Sequence, residues 1–470
     1  MISLLEVAER ARKGPRMAEM DWNMALFQKM NELAERYRIA VPEDSWDAFH
    51  NDDDALAGRA LEAGIAFLAE MGTYCIQTER VVRFTRAEVR EAIAAAPRQV
   101  VVGEGQDARA IGEGESALPR GRGTGALHAP FEDEIAVDVA RTFIESLNLD
   151  YIQSYNFQRL YGREIYGLPM EAAAGRRAVA QMREAARQSG RPGMCIFYYP
   201  ISTADAVLTA PIDPYKGLRP TDGILFSTLP DIKLDLDMLT GAIVYEDYGA
   251  CALNGGGGAA AGGFCGGIAG AVIESIAKPI LGWMVFRDVL GGGGIRNVRM
   301  SRRPTFRVQP IYSWGSSLSS QALGKANPLW GGSGLNTGGG IGHCSGPGSR
   351  SHLLETAMAS MGSGVAGGPG SAADWHVATM NARRTPYEDI FAAEVAEATR
   401  RAGITRKDLP ELMRRLTHKL EGQPTEPGHD IRECWDLKNN RPLPWYQELG
   451  QSVQRELAQD LGLVFAPSGS

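Results

Sequence analysis

Short strand-like segments alternate with longer helical segments through the middle of the chain, and this alternation limits the fold more than any other feature. The helical patterns cover segments such as 134–147 and 172–188. The strand-like segments are QVVVG, YIQSYNF, GMCIFYY, GILFST and FRVQPIYS. Strands that are separated by helices pair in parallel, because each helix carries the chain back across the sheet. The alternation therefore predicts an α/β architecture with a parallel sheet.

Helical patterns also lie on both sides of this region. Residues 21–39 have apolar side chains at helical spacing, and Thr85 with Glu88 forms a capping-box pattern at the start of a further helix. Near the other end of the sequence, segments 386–403 and 405–420 have the same helical spacing. The strand-rich region is therefore flanked by two helical regions.

No low-complexity linker or internal repeat separates these regions, which favours one integrated domain. We predict a (β/α)8 TIM-like barrel over residues 99–380. An N-terminal helical extension over residues 1–98 is expected to pack on the barrel, and residues 381–470 are expected to form a C-terminal helical cap. A chain of 470 residues that is 44% hydrophobic is long enough to bury a core of this size.

The charge distribution argues against nucleic acid and membrane partners. The formal net charge is -7, and no basic stripe with interleaved aromatic residues occurs. The N-terminal segment includes Glu6 and Glu9 and lacks the uninterrupted apolar run of a secretion signal, so we expect a cytoplasmic protein. The uncharged segment 250–273 is mostly glycine and alanine, which insert poorly into membranes.

Metal ligation by the protein itself is not predicted. The cysteines contain no C-x-x-C pair, and no two histidines have the spacing of a metal pair, although His343 adjoins Cys344. Phosphate-binding P-loops, G-x-S-x-G nucleophile elbows and H-E-x-x-H motifs do not occur either. We therefore expect free thiols and no metal site.

Glycine clusters mark the second half of the predicted barrel. The chain has 56 glycines, and clusters occur at 255–258, 291–294 and 331–348. Loops at the ends of barrel strands use glycine where the backbone approaches a ligand closely or leaves room for a large one. The clusters indicate a roomy binding site, and the alternative is that they are flexible turns.

Several stretches, taken in order along the chain, resemble the monomethylamine:corrinoid methyltransferases of methanogenic archaea. They are Asp21-Trp22, GTYCIQTERVVRFTRAEVREAI, the GTG at 123–125, GRPGM, IKLDLD, GGFCGG, CSGP, ECWDLK and DLGLVF. The resemblance runs from near the first residue to near the last. It implies a (β/α)8 barrel and a homo-oligomer, which is a hexamer in the best-known member.

The resemblance also implies a reaction and a partner. Members of the family transfer a methyl group from an amine to the Co(I) of a corrinoid, a cobalamin-type cofactor. A separate small protein carries the corrinoid and docks over the barrel mouth. The expected partners are therefore a corrinoid protein, a small methylated amine and further copies of the chain, and no cofactor is expected to bind tightly to the chain itself.

Family members carry a genetically encoded pyrrolysine a few residues after the R-P-G-M motif, and this sequence departs from that pattern. The matching position is Phe197, or Tyr198 if a one-residue insertion lies earlier. An acidic partner of the pyrrolysine would fall in the stretch Asn254–Gly257, and an amide partner would fall near Gly340. The electrophilic pyrrolysine and its acidic and amide partners are therefore replaced together, which indicates a changed chemistry.

Pyrrolysine is thought to capture an amine through the lone pair of its nitrogen, and a quaternary ammonium has no lone pair. Such a donor needs no imine, because it already carries a positive charge and leaves as a neutral tertiary amine. Aromatic rings would recognise it through cation–π contacts. The candidates are Phe197 and Tyr198 as residues at the catalytic position, with Tyr199 and Trp314 or Trp330 as walls. Ordinary core packing of these rings is the alternative.

The remaining candidates are polar groups and glycines of the site. Substrate-binding candidates are Asn254, Gly255, Gly256, Gly340 and His343. An anionic tail of the substrate would need a donor such as Arg159, Arg191 or His343. A general acid could come from Glu246, with Asp247 beside it in a strand-like setting, or from Asp205 after the aromatic run. Surface ion pairing is the alternative for these carboxylates.

Three functions remain open on this basis. The first is a corrinoid-dependent methyltransferase that lacks pyrrolysine and uses a quaternary or otherwise activated methyl donor, so that activity on monomethylamine itself is doubtful. The second is a diverged barrel enzyme with another small-molecule substrate. The third is a silent binding or scaffold protein that keeps the fold without the reaction.

Overall fold

A computed structural model describes residues 1–112, 123–125, 130–157, 159–253, 259–290, 295–296, 308–331, 345–366 and 383–466. The helices are α1 (Leu4–Lys13), α2 (Glu19–Arg36), α3 (Asp54–Glu70), α4 (Arg86–Ala95), α5 (Ala136–Ser146), α6 (Leu168–Gln188), α7 (Asp205–Thr209), α8 (Leu236–Tyr248), α9 (Ile268–Phe286), α10 (Pro310–Ala326), α11 (Pro328–Gly331), α12 (Arg350–Val365), α13 (Pro386–Arg401), α14 (Leu409–Leu420), α15 (Ile431–Cys434) and α16 (Pro444–Leu461).

The strands are short, and most of them lie between these helices. They are β1 (Thr73–Cys75), β2 (Arg80–Val82), β3 (Gln99–Val102), β4 (Arg109–Gly112), β5 (Gly123–Gly125), β6 (Pro130–Phe131), β7 (Tyr151–Gln153), β8 (Asn156–Phe157), β9 (Arg159–Leu160), β10 (Arg163–Glu164), β11 (Cys195–Tyr198), β12 (Gly223–Ile224), β13 (Lys233–Leu234), β14 (Cys251–Ala252), β15 (Ala259–Ala260), β16 (Ile295–Arg296), β17 (Trp435–Asp436) and β18 (Arg441–Pro442).

The central sheet is parallel, as the alternation of segments predicts. Its five strands have the order β14-β12-β11-β7-β5, and β15 pairs in parallel with β16. Phe197 on β11 lies opposite Gln153 on β7 and opposite Gly223 on β12. Helices α6, α7 and α8 follow β7, β11 and β12 along the chain. This strand–helix order is that of a TIM-like α/β barrel.

One predicted strand lies outside the parallel sheet, and another gives way to a helix. QVVVG forms β3, but this strand pairs antiparallel with β4 in a separate hairpin and does not join the parallel sheet. In FRVQPIYS the chain becomes helical at Pro310, the first residue of α10. Proline is favoured at this position because its fixed φ suits a helix and its missing N–H would have no partner in the first turn.

The N-terminal helices surround α9, which is the central helix of this part of the molecule. Helix α9 is long and apolar enough to cross a membrane, but its residues from Gly270 to Phe286 are all buried inside the protein. It packs against α2, α3 and α10, which is the environment of a core helix. The capping box of Thr85 and Glu88 is confirmed at the start of α4.

The N-terminal region is joined to the barrel region by backbone pairing. Strand β1 pairs in parallel with β13, with Tyr74 opposite Lys233. The indole N–H of Trp22 on α2 donates a hydrogen bond to the Asp231 carbonyl at 2.9 Å. The two contacts join residues that are 159 and 209 positions apart in the chain. The domain boundaries at residues 98 and 380 stay predictions.

A buried ion pair lies beneath the strands of the sheet. The guanidinium of Arg183 on α6 donates hydrogen bonds to the Asp222 carboxylate and to the Met194 carbonyl. The same carboxylate accepts backbone hydrogen bonds from Ile196 at 2.8 Å and from Arg219 at 2.7 Å. The pair therefore connects α6 to the starts of β11 and β12.

A second buried carboxylate joins the C-terminal helices. Glu388 on α13 accepts hydrogen bonds from the backbone N–H of Thr385 at 2.8 Å and from the hydroxyl of Tyr446 on α16. Glu388 is 1% exposed. Its carboxylate therefore holds the start of α13 against α16.

Candidate functional site

The candidate site lies at the carboxyl ends of the parallel strands. In a TIM-like barrel these ends form the mouth where ligands bind. Strands β7, β11, β12 and β14 run in the same direction, so that Gln153, Tyr198, Ile224 and Ala252 lie at their mouth ends.

Tyr198 faces the helices that surround the sheet. Its hydroxyl donates a hydrogen bond to the Val207 carbonyl on α7 at 3.2 Å. A Cβ added at Gly175 on α6 would lie 2.3 Å from the same hydroxyl, so this glycine leaves room for the tyrosine ring. Burial raises the pKa of Tyr198. The prediction of Tyr198 as a catalytic group is not supported, because its functional end is engaged in the helical layer.

Phe197 faces the opposite side, because successive side chains of a strand alternate between its two faces. Its ring packs edge-to-face on Tyr151 of β7, with 5.9 Å between the ring centroids and 87° between the ring planes. Phe197 is 2% exposed. The aromatic side chain at the predicted site position therefore belongs to the barrel interior.

The backbone at the end of β11 is tied to the end of β7. The N–H of Ser154 donates a hydrogen bond to the Phe197 carbonyl at 2.8 Å. The N–H of Tyr199 donates a hydrogen bond to the Ser154 hydroxyl at 2.9 Å. Tyr199 is half-buried and follows Tyr198, which alternation turns away from the interior. Ser154 thus fixes the backbone that carries Phe197 and Tyr199.

The interior wall around Phe197 is uncharged at the inward positions of β7, β11, β12 and β14. A Cβ added at Gly223 would meet the Leu253 side chain at 2.3 Å, so these two residues share the interior face. Phe226 packs on Tyr245 and Phe286 of the outer helices, which turns Leu225 inward. The inward positions at or next to these strands are Tyr151, Gln153, Cys195, Phe197, Gly223, Leu225, Cys251 and Leu253.

Comparison with known proteins identifies the family. A family model described as monomethylamine methyltransferase MtmB matches residues 2–463 of the chain. The chain belongs to this family. MtmB2 of Methanosarcina acetivorans is 25% identical over 475 residues, and MtmB of Methanosarcina mazei is 26% identical over 475 residues. In both comparisons, 97% of each chain is covered.

Solved MtmB structures have the same fold as this chain. The crystal structure of Methanosarcina barkeri MtmB matches with a TM-score of 0.82 at 22% identity and covers 98% of both chains. The crystal structure of a hydroxylamine MtmB complex matches with the same TM-score and coverage. The predicted TIM-like α/β fold is confirmed, and the chain is a methylamine methyltransferase-type protein.

The carboxylates that were candidates for a general acid in this MtmB family member lie outside the barrel interior. Glu246 and Asp247 are exposed on α8, and Glu246 forms an ion pair with Arg287 at 2.7 Å. The strand-like setting predicted for them is wrong, because Asp235 caps a helix that runs to a left-handed Gly249. Asp205 is exposed at the first residue of α7. The structure does not bring these carboxylates to Phe197.

The two described arginine candidates are also remote from the interior. Arg191 precedes β11 and therefore lies at the end of the barrel opposite the mouth. Its guanidinium donates hydrogen bonds to Asp107 at 3.1 Å and to the Leu149 carbonyl at 2.9 Å. Arg159 on β9 is 66% exposed and lies 3.7 Å from Glu164. Of the three candidates for binding a substrate tail, Arg191 is therefore engaged at the end of the barrel opposite the mouth.

Several other candidates are on helices or outside the described residues. Trp314 and Trp330 are buried on α10 and α11 and do not belong to the barrel strands. The predictions for Asn254, Gly255, Gly256, Gly340 and His343 lie outside the described residues. Within the described part of the chain, no cluster of three or more His, Cys, Asp or Glu side chains could hold a metal ion.

Gln153 was missed by the sequence analysis of this MtmB family member. It lies two residues after Tyr151 and opposite Phe197, so its side chain shares the interior face. The two-residue period of YIQSYNF places Gln153 on the same strand face as Tyr151, but sequence alone does not say which face of the strand is inward. The described polar side chain nearest in register to Phe197 is therefore a neutral amide.

Proposed function

We propose that the chain transfers a methyl group from a quaternary amine to the Co(I) of a corrinoid held by a separate small protein, without pyrrolysine. Membership of the MtmB family supports the methyl-transfer chemistry. The observation that carries the choice of donor is the inward ring of Phe197, packed on Tyr151 at the position that the family resemblance equates with pyrrolysine.

An uncharged aromatic wall suits a cation that carries no lone pair. Each cation–π contact contributes about 0.5 to 2 kcal/mol, depending on how much water is excluded. Among the described inward positions, none is a nucleophilic lysine or a carboxylate that would process a primary amine. The wall can therefore bind and orient a methylated ammonium group. Burial raises the pKa of the Cys195 and Cys251 thiols, which disfavours the nucleophilic thiolate form at these two inward positions.

The proposed transfer needs no proton from the chain. The carbon–nitrogen bond breaks with its electron pair on nitrogen, which releases a neutral tertiary amine. The two electrons of Co(I) form the new cobalt–carbon bond. The contribution of the chain is to exclude water and to orient one methyl group toward the mouth. The remote positions of Glu246 and Asp205 are consistent with a reaction that uses no general acid.

The proposal is tested with the full chain, reduced corrinoid protein and a panel of methyl donors. Mono-, tri- and tetramethylated amines and betaines are added separately, and methylation of cobalt is followed in the visible spectrum. We expect quaternary donors to react and monomethylamine to remain inert. Reaction with monomethylamine alone would contradict the proposal. If no donor methylates cobalt, a diverged barrel enzyme or a scaffold protein would be favoured.

Replacing Phe197 by leucine should lower kcat/KM for a quaternary donor by about 2- to 30-fold, because the apolar volume is largely kept but the ring face is lost. The matched control is Phe226→Leu, whose ring packs on Tyr245 and Phe286 away from the interior. Both variants should lose some thermal stability. Equal kcat/KM values for the two variants would contradict a role of Phe197 in donor recognition.

A further inference from the structure

The side-chain amide of Gln153 lies inside the barrel with its hydrogen-bonding capacity only partly used. Its Oε1 atom is buried and has no hydrogen-bond partner among the described residues. The register places Phe197 on one side of Gln153 and Gly125, which has no side chain, on the other. The amide oxygen therefore lies next to the aromatic wall, without a donor from the part of the chain that the structure describes.

A buried acceptor without a partner is costly to the folded protein. Leaving such a group unsatisfied costs more than the net gain from a typical hydrogen bond, so buried polar groups are nearly always paired. A structural role would pair Gln153 with a neighbouring backbone or side chain, as Gln181 is paired with Tyr155 and Asp133. An unpaired oxygen on the interior face is instead available to a ligand.

We propose that Gln153 is a specificity-determining residue whose Oε1 contacts the ammonium group of a small methylated amine bound against Phe197. This inference rests on the proposed function for the identity of the ligand, but it concerns binding and does not require methyl transfer. A carbonyl oxygen carries a partial negative charge, so it attracts the cation more strongly than the neutral amine that remains after transfer.

The amide oxygen also distinguishes classes of amine. An ammonium ion that keeps an N–H donates a charge-assisted hydrogen bond to Oε1. A quaternary ion offers only polarised methyl C–H groups, whose contacts with oxygen are weaker. Gln153 therefore contributes more to binding of a protonated tertiary amine than to binding of a quaternary one, whereas Phe197 serves both.

The test uses the full chain without corrinoid and measures binding by calorimetry at pH 7. The probes are trimethylammonium, which keeps one N–H, and tetramethylammonium, which has none. The variants are Gln153→Leu, which removes the amide, and Gln153→Glu, which keeps its size and adds a negative charge. The matched control is Gln451→Leu on the exposed surface of α16.

Gln153→Leu should weaken trimethylammonium binding by at least about tenfold and tetramethylammonium binding by about two- to threefold. Gln153→Glu should strengthen binding of both ions, a gain that misfolding does not imitate. Binding of both ions to Gln153→Leu at wild-type affinity would overturn the inference alone. Failure of the wild-type chain to bind either ion would overturn it together with the proposed donor class.

Discussion

Replacing Asp222 by alanine is expected to lower the free energy of unfolding by about 3 to 5 kcal/mol, the usual cost of removing one partner of a buried ion pair. The side chains of Arg183 and Asp222 are 8% and 1% exposed. Burial raises the pKa of Asp222 and lowers the pKa of Arg183, although each charge opposes the shift of the other. The variant leaves the guanidinium buried without its counter-ion.

This prediction is checked by urea unfolding of the wild-type chain and three variants. Glu184→Ala is the control on the same helix, because Glu184 pairs with Arg187 at the surface and should contribute little. The double variant Arg183→Met with Asp222→Leu should be more stable than Asp222→Ala, since no uncompensated charge remains. A stability of Asp222→Ala equal to that of Glu184→Ala would contradict a structural role of the pair.

The second large effect is a dependence of stability on pH that arises from Glu388. Burial raises the pKa of Glu388 from 4.5 to about 7, against the opposing hydrogen bonds from Tyr446 and Thr385. The folded state therefore binds the proton more tightly than the unfolded state. The contribution of Glu388 to the free energy of unfolding is fully present below pH 4.5. It is lost as the pH rises to about 7, and the total loss is about 3 kcal/mol.

Glu388→Gln should remove this loss, because an amide of the same shape stays neutral at every pH. Urea unfolding between pH 5 and pH 8 should show the wild-type chain losing stability relative to the variant as the pH rises. Buried His352, whose pKa is lowered to about 4, contributes the opposite slope in both proteins and cancels in the difference. A constant difference between the two proteins over this range would contradict the prediction.

The sequence predicts a structural element correctly where the element is determined by residues close together in the chain. The capping box of Thr85 and Glu88 predicts the start of α4 because its hydrogen bonds join residues only three apart. The alternation of strands and helices likewise predicts a parallel sheet. Glu246 was assigned to a strand because of the preceding apolar residues, although Asp235 and Gly249 carry helix-end signals on either side.

The geometry of the site depends on contacts between distant residues, and sequence does not contain it directly. Alternation predicts that Phe197 and Tyr198 face opposite sides of the strand. Which side is outward is shown only by Gly175 and Val207 on the outer helices, which contact the Tyr198 ring and hydroxyl. The importance of Gln153 follows from its register with Phe197 and from an amide oxygen that has no hydrogen-bond donor among the described residues. Neither feature has a local sequence signal.

The pairing of β1 with β13 has a consequence for the order in which the chain folds. Thr73 and Ile232, which are joined by a hydrogen bond, are 159 residues apart. At a synthesis rate of about 5 to 20 residues per second, their segments leave the ribosome roughly 10 to 30 seconds apart. During that interval the β1–β2 hairpin presents an unpaired edge, which is a hazard for aggregation. The first part of the chain to be made therefore acquires these native neighbours only when the chain is about half synthesised.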